Sequence, residues 1–147
     1  MRRTLNDRKM KVKINIHTAA DCGEQNFRTY GELEFSEFGF SVSYRLDGDD
    51  CILEFNGVRA VQRRSGRLTF IMEFAEGEET ECVLSEGGSN FVFPVFTETL
   101  GASISEEGCT LSLDYFQGEE RERTELVFIA ERWRERDERR VPRRREN

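Results

Sequence analysis

Residues 39–50 read GFSVSYRLDGDD, and this stretch carries the pattern that decides the fold. Apolar and polar residues alternate through it, so that one face of an extended chain carries Phe40, Val42, Tyr44 and Leu46. A period of two is typical of a β-strand with one buried face. The Asp- and Gly-rich end of the stretch predicts a tight turn. The apolar face must therefore border either a solid core or a cavity.

The same alternation recurs along most of the chain, with short polar breaks between its repeats. It predicts about nine or ten strands, which read KVKINIHT, RTYGELEFS, FGFSVSYRL, CILEF, VRAVQRR, RLTFIMEF, TECVLS, NFVFPVFT, CTLSLDYF and RTELVFIA, with ASIS as a further short piece. Hairpin-length turns favour an antiparallel meander, and closing the sheet removes its unpaired edges. We therefore predict an all-β fold, an antiparallel meander β-barrel of about 8–10 strands with a charged C-terminal extension.

Two residues interrupt the predicted strands. Pro94 cannot donate a ladder hydrogen bond, so it predicts an edge, a bulge or a split in the barrel. Gly31 suggests a bend that lets a strand curl around a barrel corner.

The charges divide the chain into an acidic body and a basic tail. We predict an N-terminal extension at 1–9, a barrel domain at 10–131, and an Arg-rich tail at 132–147 that is disordered or a marginal helix. The tail has eight Arg against four acidic residues, a net charge of +4, which leaves −11 for the rest of a chain whose total is −7. An acidic body argues against nucleic-acid binding by the domain itself.

The sequence also predicts where the protein resides. It has no apolar run long enough for a membrane helix and no secretory signal, so we expect a cytoplasmic protein. Met10 stands at the first strand and is an alternative start site to Met1. The four cysteines form no CxxC pair, so we expect structural thiols and neither disulfides nor a metal site.

Features spaced along the barrel segment resemble those of the YwiB-like bacterial family of unknown function. The matching residues are Arg64, Ser65, Gly66, Phe74, Gly77, Val95, Thr97, Gly108 and the LSLDY segment that ends at Tyr115. The resemblance covers about 11–130 and implies a small cytosolic protein with a lipocalin-like, calycin-type meander barrel. The Gly-x-Trp of secreted lipocalins is absent, and the only tryptophan, Trp133, lies in the tail. The resemblance implies a fold and no activity.

No constellation of catalytic residues emerges from the sequence, and none of its motifs requires a cofactor. The single histidine, His17, shares the outward face of its strand with two lysines, which is typical of a solvated side chain. LDGDD lacks the ligand ladder of a calcium loop, and SEGGSN lacks the Lys and helix of a phosphate loop. We therefore expect a protein that is not an enzyme.

The remaining candidate is a ligand site inside the barrel. Val58 and Ala60 suggest that their strand face points inward, which would place polar groups at the end of a Phe-lined pocket. The predicted ligand-binding residues are Tyr44, Gln62, Arg64, Thr97 and Tyr115. Such a pocket would suit a small apolar molecule or an amphipathic anion.

Other interpretations of the same residues remain open. Arg64 could snorkel at the barrel mouth or pair with a carboxylate, and the tyrosines could bond to the backbone. The inward rings, namely Phe35, Phe40, Phe70, Phe74 and Phe93, favour a filled interior. In that case the protein would interact with a protein or RNA through its Arg-rich tail or barrel surface, with no small-molecule ligand.

Overall fold

The computed structural model describes residues 9–134, which form ten β-strands. In chain order they are β1 Met10–Ala20, β2 Gly23–Phe35, β3 Phe40–Leu46, β4 Asp49–Phe55, β5 Arg59–Ser65, β6 Thr69–Ala75, β7 Glu79–Glu86, β8 Ser89–Ser105, β9 Gly108–Gln117 and β10 Glu122–Arg132. The described part of the chain has no helix that could cross a membrane. The rest of the predicted N-terminal extension and tail, including the expected disorder or helix, lies outside the described residues.

Each strand pairs antiparallel with its neighbours in sequence, and β1 pairs with β10 to close the barrel. The predicted all-β meander barrel is therefore confirmed, with ten strands. The turn in residues 47–50 is also confirmed, because Asp47 and Gly48 have φ angles of 53° and 86°, as a tight hairpin requires. In the hairpins, the turns after β1, β3, β5, β7 and β9 gather at one end of the barrel, here called the upper end. The remaining turns gather at the lower end.

The segment ASIS is not a separate strand, because it forms the second half of β8. This strand changes partners: its first half pairs with β7 up to Phe96, and its second half pairs with β9 from Val95 onward. Pro94 lies just before the β9 pairing begins, where its carbonyl accepts a hydrogen bond from the Gly118 N–H (3.1 Å). The bulge in β8 falls between Thr97 and Thr99, beyond the proline.

Gly31 marks a place where two strands approach closely. A Cβ atom at this position would lie 2.2 Å from the carbonyl oxygen of Ser43 on β3 and 2.9 Å from Cδ1 of Ile14 on β1. Only a residue without a side chain fits there. The β2–β3 pairing runs from Phe35 to Gly31 and ends at this contact.

Aromatic rings fill the barrel interior. Phe40, Phe74 and Phe128 are almost completely inaccessible to solvent, and their neighbours on every strand are also buried. Phe74 packs edge-on against Tyr115 at 4.9 Å between centroids, and Phe128 lies 5.7 Å from the ring of Tyr44. Close contact between such rings leaves a packed core, as in other protein interiors.

Strand β5 starts one residue later than the sequence suggests, so Val58 is not among its inward-facing residues. Val58 was expected to point inward, but it is 71% exposed. The reason is a turn: the Asn56 side-chain oxygen accepts hydrogen bonds from the N–H groups of Val58 (2.9 Å) and Arg59 (2.7 Å), which holds Val58 in the turn just before β5 starts at Arg59. Ala60 is buried as expected. Leu68, which belongs to the predicted strand RLTFIMEF, likewise lies in the turn before β6 and is exposed.

The cysteines differ in exposure, and this difference makes a testable prediction. Cys51, Cys82 and Cys109 are buried, whereas Cys22 is exposed in the β1–β2 turn. Burial raises the pKa of Cys109 to about 12 and raises those of Cys51 and Cys82. Because the thiolate is the reactive form, we expect one thiol per chain to react quickly with a disulfide reagent at pH 8.

Absorbance of the released thiol measures this stoichiometry. The same reagent in denaturant should titrate all four cysteines, and a Cys22→Ser variant should remove the fast phase. Rapid reaction of two or more thiols in the native protein would contradict the buried positions.

Candidate functional site

Three of the five predicted ligand-binding residues come together at the upper end of the barrel. Cys51 on β4 stands between Tyr44 on β3 and Arg64 on β5 in the register of the sheet. Gln62 precedes Arg64 by two residues and belongs to the same strand face. All of them lie beneath the β3–β4 and β5–β6 turns.

Arg64 is paired with a buried carboxylate. Its Nε donates to Oδ2 of Asp49 at 2.8 Å, and Asp49 is only 2% exposed. The Asp49 carboxylate also accepts hydrogen bonds from the backbone N–H groups of Arg67 (2.9 Å) and Leu68 (3.2 Å). These hydrogen bonds lower the pKa of Asp49, and the bond from the Arg67 backbone has the largest effect. Asp49 therefore neutralises the arginine and fixes the β5–β6 turn.

The turn that Asp49 fixes requires glycine. Gly66 has a φ angle of 155°, and a Cβ atom there would lie 2.1 Å from Oδ1 of Asp49. Arg64 and Gly66 are among the residues that carry the family resemblance, and in this barrel both contact Asp49. Part of that pattern is thus explained by structure.

Tyr44 has a buried hydroxyl group that makes no hydrogen bond of good geometry in residues 9–134, although the side chains of Gln62 and Cys51 lie close enough to influence its pKa. Burial raises its pKa to about 12, so the phenol is neutral at physiological pH. An unsatisfied buried hydroxyl is costly, and such groups often mark a place for a water or a ligand atom.

Thr97 and Tyr115 form a second group, on β8 and β9. The two residues are opposite each other in the register, and Tyr115 contacts Phe74. Burial raises the pKa of Tyr115 to about 12. Thr97 is fully buried, and its hydroxyl has no partner in the described part of the chain. The structure therefore does not bring the five predicted residues together. One group lies on β3 and β5, and the other lies on β8 and β9, on a different side of the barrel.

A cleft of about 600 Å³ lies on the outer surface of β1 to β4. One wall is a pair of aromatic side chains in contact, Tyr30 on β2 and Trp133 just after β10, whose ring centroids are 4.6 Å apart and whose planes are tilted by 32°. The backbone N–H of Trp133 donates to the Lys11 carbonyl (2.9 Å), which holds the indole against β1. Three residues at inward-facing positions of their strands also line the cleft, close to the point where β2 and β3 approach each other. They are Gly31, Tyr44 and Cys51.

Polar groups complete the cleft. Arg45 pairs with Asp50 (3.4 Å). Lys11 and Glu32 also line the cleft and lie directly opposite each other in the β1–β2 register, although no ion pair forms between them. The indole N–H of Trp133 is buried and has no partner among the described residues. The cleft therefore offers an aromatic wall and the ammonium group of Lys11, whereas the indole N–H is buried.

Sequence reasoning missed this cleft and missed Asp49. Trp133 was assigned to the tail, and Tyr30 lies on the solvent-facing side of its strand. No pattern of neighbouring residues in the sequence therefore indicates that the two rings are in contact. Asp49 reads as a turn residue in LDGDD. Alternation with Cys51, Leu53 and Phe55 is the one signal that places Asp49 on the inward face.

His17 lies on the outer face of β1, where its Nε2 is 3.7 Å from a carboxylate oxygen of Glu24. Both side chains are solvent-exposed. Residues 9–134 contain no cluster of three or more His, Cys, Asp or Glu side chains arranged to hold a metal ion.

Comparison with known proteins identifies a shared fold. No family model matches the sequence, and no curated protein matches it with significant similarity. Among solved structures, the crystal structure of the YwiB protein from Bacillus subtilis superimposes with a TM-score of 0.77 at 17% sequence identity. The match covers 86% of this chain and 94% of that chain. The YwiB-like resemblance is thus confirmed at the level of the fold, and this chain has the β-barrel fold of the YwiB protein.

Proposed function

We propose that this protein is a non-enzymatic binding protein that holds a small amphipathic anion in the outer cleft. The observation that carries the proposal is the pair of aromatic rings, Tyr30 and Trp133, that lines the cleft together with Lys11. An apolar, flat part of a ligand would lie against the rings. Its anionic part would face the ammonium group of Lys11.

The barrel interior supports a ligand less well. Phe40, Phe74 and Phe128 occupy its centre, so a lipid-sized molecule would have to displace packed rings. The arginine expected to bind the anion, Arg64, already has its charge matched by Asp49. The unpaired hydroxyl of Tyr44 is consistent with a single buried water.

The aromatic anion 8-anilinonaphthalene-1-sulfonate is a suitable probe, because it combines a flat apolar body with a negative charge. We expect Tyr30→Ala to weaken its binding about tenfold, the loss expected for one ring contact and its buried area. Lys11→Gln should weaken it by a smaller factor, about threefold, because the charge is exposed. Titration of the probe fluorescence gives both dissociation constants.

Two substitutions serve as matched controls. Ile71→Ala removes an exposed apolar side chain from the outer face of β6, and Arg67→Gln removes an exposed cation from the β5–β6 turn. Neither should change the affinity. Equal losses in Tyr30→Ala and Ile71→Ala would mean that the probe adheres to any apolar surface, and the proposal would be wrong.

A further inference from the structure

A second groove lies at the lower end of the barrel and has a different chemistry. Its volume is about 430 Å³, and it runs between the β2–β3 turn and the end of β8. Phe38 on one wall is 71% exposed, and Ile104 on the other is 45% exposed. Glu37 and Glu106 contribute a carboxylate to each wall, and both side chains are exposed. The groove therefore presents an exposed apolar side chain and a carboxylate on each side.

One wall of this groove is an open strand edge. The second half of β8 pairs with β9, whereas β7 pairs with β8 only up to Phe96. The N–H of Leu100 is satisfied by the side chain of Glu76 (2.8 Å). Beyond it, from residue 101 to 105, no described strand pairs with the other edge of β8. An open edge next to exposed apolar side chains is a common docking place for an extended segment.

The chain itself leads to this groove. Arg134 is the last described residue, and its Nη2 lies 2.6 Å from Oε1 of Glu107 in the β8–β9 turn. Nη2 of Arg132 donates to the carbonyl oxygen of Glu106 at 3.0 Å. The remaining thirteen residues of the sequence therefore start beside the groove.

The segment 139–145 reads RRVPRRR and is complementary to the groove. It carries five Arg and no acidic residue, and its centre is the apolar pair Val141 and Pro142. Four residues separate it from Arg134, enough to span roughly 13 Å when extended. We propose that segment 139–145 docks in the lower groove of its own chain, with its arginines facing Glu37 and Glu106 and Val141 facing Phe38 and Ile104.

Trypsin cleaves after arginine, so it reports how often this segment is free. When undocking is fast compared with cleavage, the cleavage rate follows the free population. In the full chain carrying Glu37→Gln and Glu106→Gln, we expect cleavage within 139–145 to be about fivefold faster than in the native chain. Mass spectrometry of timed digests locates each cut.

The matched control carries Glu119→Gln and Glu120→Gln in the β9–β10 turn, which lies at the opposite end of the barrel. It removes the same charge, and its cleavage rate should equal that of the native chain. Ile104→Ala should also accelerate cleavage, which tests the apolar contact without a change in charge. Equal rates in the native chain and in both groove variants would overturn the proposal.

Salt and protein concentration complete the test. High salt should accelerate cleavage of the native chain toward the rate of the double glutamine variant, because it screens exposed charges. Protection should not depend on protein concentration, since the segment and groove belong to one chain. Protection that rises with concentration would assign the segment to a second copy and would overturn docking within the chain.

Discussion

Replacing Phe74 with alanine is expected to lower the free energy of unfolding by about 3–5 kcal/mol. Phe74 is fully buried at the centre of the barrel and packs against the ring of Tyr115. Truncation removes the transfer free energy of the ring and leaves a cavity that the closed sheet cannot easily collapse around. Urea unfolding followed by circular dichroism measures the change.

Ile71→Ala provides the control on the same strand. Ile71 points outward and is 47% exposed, so its truncation should change stability by no more than about 0.5 kcal/mol. A small loss in Phe74→Ala, comparable to that in Ile71→Ala, would mean that the interior is loosely packed. That result would restore the barrel interior as a possible ligand site.

Replacing Asp49 with alanine is expected to have the second-largest effect, a fall in Tm of about 5–10 °C. The substitution leaves the guanidinium of Arg64 and the N–H groups of Arg67 and Leu68 without their acceptor. Asp50→Ala is the matched control, because the neighbouring carboxylate is exposed and, among the residues that the structure describes, pairs with Arg45 alone. It should shift Tm by a degree or two at most, as expected for a surface pair.

The effect of Asp49 should also depend on pH. Because its pKa is lower in the folded protein than the ordinary value of 3.8, ionised Asp49 stabilises the fold above that value. The stabilisation is lost as the pH falls below 3.8 through the folded-state pKa. The Tm difference between the native protein and Asp49→Ala should therefore be constant near neutral pH and shrink in acid. A difference that stays unchanged at low pH would contradict the bonding of the ionised carboxylate.

The strands and the barrel could be predicted because their signal is local. Alternation over seven or eight residues, as in 40–46, determines which side chains share a face, and short turns determine which strands pair. The filling of the interior could also be predicted in outline from the bulk of residues such as Phe40 and Phe74. The prediction that Val58 points inward was wrong, because hydrogen bonds accepted by the Asn56 side chain hold Val58 in a turn and override the alternation.

The candidate site could not be predicted, because it depends on contacts between residues distant in sequence. Tyr30 and Trp133 meet only because closure of the barrel brings the end of β10 to the start of β1. For Arg64, the sequence left open a ligand, a position at the barrel mouth, or pairing with a carboxylate. Its partner, Asp49, looked like one of several turn aspartates. A buried carboxylate is recognised only when its neighbours are known.

The most direct test of the outer cleft is the indole N–H resonance of Trp133 in a ¹H–¹⁵N spectrum. The chain has a single tryptophan, so the signal is unambiguous. On addition of 8-anilinonaphthalene-1-sulfonate, we predict that this resonance and the amide of Gly31 shift together and saturate, while the amide of Phe74 remains in place. Saturating shifts at Phe74 with an unchanged indole signal would place the ligand inside the barrel and contradict a site at the outer cleft.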